Sequence, residues 1–121
     1  MKLFNNLFVF VALAGGLVFL SACSNNQVTP ASNLILFYGD GCPHCAIVET
    51  YIKDHKIEEK ITFDKKEVFN DQVNAALLGE KAAACGLPTD RVGVPFLWDN
   101  GQCYEGDQDI IKYFKEKNDE K

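Results

Sequence analysis

The chain has 121 residues, with 17 Asp and Glu against 12 Lys and Arg, a net charge of −5 and an isoelectric point near 4.9. An acidic balance of this size argues against a nucleic-acid partner, and the length allows one small folded domain. Lys and Glu alternate along the C-terminal segment, so the acidity reads as a solvated surface rather than a binding patch.

Residues 1–22 read as an export signal: one positive charge at Lys2, an apolar run from Leu7 to Leu20, then Leu20-Ser21-Ala22-Cys23. The run is 14 residues, short of the roughly 20 that a bilayer-spanning helix needs. The tetrapeptide ending at Cys23 resembles the bacterial lipobox. That resemblance implies cleavage before Cys23, a diacylglycerol group on its sulfur, and a mature protein held at a membrane surface by acyl chains. The rivals are a plain secretory signal and an uncleaved N-terminal anchor. In a diderm host, Ser24 after the cysteine resembles the default rather than the inner-membrane retention signal, which favours the outer membrane; in other hosts the expected place is the extracellular face of the plasma membrane. Net charge becomes −6 once Lys2 leaves with the signal. Residues 23–33 are polar, lack periodicity and read as a lipidated tether, leaving residues 34–118 as the folded domain.

Leu34-Ile35-Leu36-Phe37-Tyr38 is a continuous apolar run of strand length, as expected for a central strand covered on both faces. Gly39-Asp40-Gly41 breaks it, and Pro43 suits the first position of a helix, where a missing N–H is no loss. Ile47, Val48, Tyr51 and Ile52 give that helix a buried face and its end falls near Asp54 or His55. A second strand is expected within Ile61–Val68. Asn70 or Asp71 can cap a second helix with Val73, Ala76, Leu77, Lys81 and Ala84 on one side, stopped at Gly86. Val94-Pro95-Phe96-Leu97-Trp98 and Gln102-Cys103-Tyr104 flank Asp99-Asn100-Gly101, and Asn-Gly is a strong hairpin signal. Asp107 starts a last helix with Ile110, Ile111, Tyr113 and Phe114 as its apolar positions.

Between the first strand and the first helix stands Cys42-Pro43-His44-Cys45, two thiols one helical turn apart. Five cysteines are an odd number for an exported protein. Assigning Cys23 to lipid leaves four, and the pairing favoured by proximity joins Cys42 to Cys45 and leaves Cys85 with Cys103.

The order β-α-β-α-β-β-α, with Cys-x-x-Cys opening the first helix and Val94-Pro95 opening the third strand, resembles the thioredoxin fold in its small, glutaredoxin-like form. Residues 94–110 can be laid without gaps on the glutaredoxin ending of Val-Pro, strand, Asn-Gly turn, strand, Gly-Gly and a helix-starting Asp. The resemblance implies an α/β domain with a mixed four-stranded sheet flanked by helices, and a thiol–disulfide oxidoreductase acting on protein thiols and disulfides. It further implies a cis Pro95 beside the cysteines, with the Val94 backbone free to bind an extended substrate; the plain alternative is a trans proline opening an edge strand. Glu105 in place of the first glycine of the Gly-Gly pair, Gly93 in place of threonine and His44 in place of tyrosine argue against glutathione recognition. Pro-His between the cysteines resembles exported dithiol oxidases, whose helical insertion this chain has no room for.

Thiol–disulfide exchange needs a thiolate as the attacking group. Cys42, at the first turn of its helix, faces unpaired N–H groups and the positive end of the helix dipole, and is the expected nucleophile. Cys45, a turn further in, is the expected resolving thiol. His44, as imidazolium or N–H donor, is expected to stabilise the Cys42 thiolate and make the disulfide more oxidising. Its plain alternative is an exposed turn residue. Cys85–Cys103 is expected to be a structural disulfide, the alternative being a second exchange pair that receives the disulfide from Cys42–Cys45. The redox reading needs no cofactor and no metal, and an unidentified redox partner sets whether electrons leave or enter. Two readings from other classes remain: a Cu(I)-binding protein using Cys42, His44 and Cys45, and an inert adaptor on the same scaffold.

Overall fold

The computed structural model describes residues 32–120. The expected signal at 1–22, the lipid site Cys23 and nearly all of the tether 23–33 lie outside the described residues. Among the described residues no helix is long and apolar enough to cross a membrane.

Four strands, β1 (Leu34–Tyr38), β2 (Asp64–Glu67), β3 (Phe96–Asp99) and β4 (Gln102–Glu105), form one sheet in the order β2-β1-β3-β4. β2 runs parallel to β1, β3 antiparallel to it, and β4 antiparallel to β3. Helices α1 (Pro43–Asp54), α2 (Gln72–Ala84) and α3 (Gly106–Asp119) flank the sheet, and a single 3₁₀ turn, Ile57–Glu59, follows α1. This is a mixed α/β sheet with three helices, a thioredoxin-like fold.

Alternation along β1 decides which core each side chain joins. Leu34 and Leu36 meet Val48 and Ile52 of α1, Leu97 of β3, and Ile110, Tyr113 and Phe114 of α3 on one face. Ile35 and Phe37 meet Phe96, Val68, Leu78 and Ala82 on the other, under α2. The Phe37 and Phe96 rings, paired across the strands, lie edge to face with centroids 6.1 Å apart. The hairpin between β3 and β4 turns on Asn100 and Gly101, whose φ angles of 46° and 96° suit the two-residue turn that Asn-Gly favours.

Several expected boundaries and faces shift. Ile47 of α1 is 46% exposed, so the buried stripe of that helix is Cys45, Val48 and Ile52. On α2, Val73 is 79% exposed and Ala76 and Ala84 are exposed, while Leu78 and Ala82 are buried with Ala75 and Leu77 packed beside them. Apolar residues lie on every side of Gln72–Ala84, so periodicity alone points to no single face. Ile61 and Phe63 precede β2 rather than belong to it and pack on the α1/α3 core. β3 begins at Phe96, after the Val94-Pro95 pair, and α3 begins one residue before Asp107.

Candidate redox site

Local chain rules place Cys42 at the mouth of α1. Its N–H donates to the Gly39 carbonyl at 3.2 Å, closing the turn that ends β1, and Pro43 occupies the first helical position. Cys42 is therefore the N-cap, and its Sγ accepts the Cys45 N–H at 3.2 Å, one of the donors a helix start leaves without a backbone partner. Cys42 and Cys45 are joined by a disulfide. Their environments differ: Cys42 is partly exposed, whereas Cys45 is 7% exposed under the first turn.

The Val94–Pro95 peptide bond is cis and lies against this pair, with the Val94 carbonyl oxygen 3.7 Å from Cys42 Sγ. The Gly106 N–H donates to the Pro95 carbonyl at 3.0 Å, which ties the start of α3 to the same segment. Tyr38, Gly39, Cys42, Cys45, Glu49, Lys65 and Pro95 line a groove of about 440 Å³ beside the disulfide. On its wall Lys65 pairs with Glu49 at 2.7 Å and lies 5.8 Å from the Tyr38 ring centre.

His44 is where the motif put it, exposed in the first turn of α1, but its ring is engaged elsewhere than at the sulfur. Nδ1 lies 3.2 Å from Oδ1 of Asp107 in the first turn of α3. An ionised carboxylate only accepts, so Nδ1 carries the proton. Among the described residues no group of three or more His, Cys, Asp or Glu is gathered to hold a metal ion.

Cys85, just past the end of α2, and Cys103 on β4 form a second disulfide, both partners partly exposed beside an open depression lined by Leu87 and Gln102. His55 follows α1 at the surface, stacked on Tyr51 with ring centres 4.0 Å apart. Phe96 is core, Tyr38 a groove wall, and Trp98 is half-buried with the Lys81 ammonium 5.0 Å from its ring centre.

Three residues that hold the segments around the site were not singled out from the chain for a place there. Asp107, read only as a helix start, meets His44 across 63 residues. Glu67 accepts the Asp40 N–H at 3.1 Å and the Phe69 N–H at 2.8 Å, joining the loop that leads into Cys42 to the loop after β2. The ring of Phe69, itself 56% exposed, packs on Gly39 so closely that a Cβ there would overlap it. None of these contacts leaves a local pattern in the sequence, since each joins segments more than 25 residues apart or depends on a loop's path. No protein-family model matches the chain, and no curated protein matches it either, so its reading rests on a disulfide of unequal exposure at a helix start in a thioredoxin-like fold, an arrangement compatible with redox-active thiol chemistry.

Proposed function

We propose that the chain is a thiol–disulfide oxidoreductase that exchanges disulfides with protein substrates through Cys42 and Cys45. The observation that carries this reading is the unequal exposure of the bonded pair: one sulfur is open at the N-terminus of α1, the other lies 7% exposed beneath it. A substrate thiolate can reach Cys42 Sγ; the new bond forms there as the Cys42–Cys45 bond breaks and Cys45 leaves as a thiolate. A second substrate thiolate then attacks the substrate sulfur of the mixed disulfide, and Cys42 leaves as a thiolate with both electrons of the broken bond. The substrate is oxidised and the pair reduced. Run in reverse, Cys42 attacks a substrate disulfide and Cys45 resolves the intermediate.

The other roles follow from this one. The Cys45 N–H and the helix start favour negative charge on Cys42, while His44 tunes that thiolate. The Val94 backbone and the cis Pro95 bind an extended substrate segment beside the sulfurs, and Cys85–Cys103 braces the domain. Residues 1–22 are a lipoprotein signal, Cys23 is lipidated, residues 23–33 are a tether, and the domain of residues 34–118 works at the cell envelope, on the outer membrane in a diderm host.

The test is exchange with a reduced test protein and with insulin. Cys42→Ala should abolish exchange in both directions, and Cys45→Ala should accumulate a mixed disulfide on Cys42 that dithiothreitol releases. Full activity of Cys42→Ala, or no exchange by the parent chain with either protein, would sink the reading.

A further inference from the structure

The N-termini of α1 and α3 open onto the same place, and each carries at its second position one half of a polar pair: His44 on α1 and Asp107 on α3. Their exposures are unequal. The His44 side chain is 68% exposed and the Asp107 side chain only 14%. Asp107 is also the less movable partner, because Gly106 beside it is bonded to the Pro95 carbonyl and α3 is packed through Ile110, Tyr113 and Phe114. The imidazole is thus tethered to a fixed carboxylate, two residues from the reactive sulfur.

With Cys42 in a disulfide, no charge on its sulfur draws the imidazole, and the Nδ1–H is committed to Asp107. Reduction changes the competition. A dithiol, or two glutathione molecules, gives the protein disulfide two electrons and two protons and ends as its own disulfide; Cys45 and Cys42 become thiols, and loss of the Cys42 proton to solvent creates an anion two residues from His44. Two anions then compete for one imidazole. Resting on the oxidoreductase reading, we infer that Asp107 is a positioning residue: it holds the His44 ring toward α3 and so limits how far His44 can stabilise the Cys42 thiolate. Asp107 therefore keeps the disulfide less oxidising than the Cys-Pro-His-Cys motif alone would make it.

The experiment measures two quantities on the full chain and on Asp107→Asn, Asp107→Glu, His44→Tyr and the double variant His44→Tyr/Asp107→Asn. One is the ionisation of Cys42, from thiolate absorbance. The other is the equilibrium of the protein disulfide plus two glutathione with the protein dithiol plus oxidised glutathione. Asp107→Asn should lower the Cys42 pKa and move the equilibrium about two- to fivefold toward the dithiol, the size expected when a surface charge interaction is removed. Asp107→Glu keeps the carboxylate and should stay near the parent values. In the His44→Tyr background the Asp107→Asn change should disappear. Imidazole nitrogen shifts of the oxidised parent should report the Nδ1–H tautomer and lose that preference in Asp107→Asn. An unchanged Cys42 pKa and equilibrium in Asp107→Asn, a shift toward the disulfide, or an equal shift without His44 would each overturn the inference. A parent chain that shows the coupling but exchanges disulfides with no protein would support the inference and overturn only the oxidoreductase reading.

Discussion

Glu67 ends β2 and turns its carboxylate onto the N–H groups of Asp40, Phe69 and Asn70, at 3.1, 2.8 and 2.8 Å. Slight burial pushes its pKa up, but hydrogen bonds from Asn70, Asp40, Phe69 and Asp71 outweigh that and hold it below the ordinary glutamate value of 4.5. A depressed folded pKa fixes the sign: the clamp is in place above the unfolded value and is lost as pH falls through the lower folded one. The amide signals of Asp40, Phe69 and Asn70 should therefore titrate together with a midpoint below 4.5. Glu67→Gln, which keeps an acceptor but no charge, should speed hydrogen exchange of those three amides several-fold at neutral pH and leave α3 unchanged. A titration at the ordinary glutamate value, or unaltered exchange, would show that the carboxylate does not hold the two loops. The same carboxylate bonds the backbone on both sides of the contact between the Phe69 ring and Gly39.

At the scale of elements, α2 separates what a sequence shows from what packing decides. Asp71 caps it as its side chain allows, accepting the Val73 and Asn74 N–H groups at 2.9 and 3.0 Å. Its inward face is Leu78 and Ala82, not the Val73 side. Leu78→Ala should cost about 2–5 kcal/mol, whereas Val73→Ala should stay within about 0.5 kcal/mol; denaturant unfolding of the two variants measures both. Similar losses at both positions would place Val73 in the core. β1, α1 and the Asn100-Gly101 hairpin were legible because each carries a local cause: an apolar run, a proline at the first helical position, a turn needing positive φ. β2 was legible only in outline. Its residues Asp64-Lys65-Lys66-Glu67 have no strand-forming character, and pairing with the buried β1 makes them a strand. The cysteines and Val94-Pro95 could be read as neighbours only through a resemblance, and the Asp107 and Glu67 contacts not at all, because they arise where loops meet.

For the whole molecule, the sheet separates two cores, and Cys85–Cys103 joins the end of α2 to the outermost strand β4 across a separation of 18 residues. Closing a loop of this size stabilises by about 3 kcal/mol in the chain-entropy account. Cys85→Ala/Cys103→Ala should lower stability by that order in a urea titration and leave the rate of exchange at Cys42 unchanged where the variant is folded. Loss of exchange in the folded variant would instead make the second pair a relay. The sheet has two outer strands, β2 and β4, which are the places where a strand from another molecule could add. Every side chain of β2 is ionisable, and Lys65 is drawn back to Glu49. An incoming copy would have to lay its own Asp64-Lys65-Lys66-Glu67 or another segment against that row, and charged edge strands resist such stacking. On the opposite side β4 is only four residues long and is bolted through Cys103 to α2. Neither border favours growth into fibres, so copies of the domain meeting edge to edge gain no continuous strand pairing.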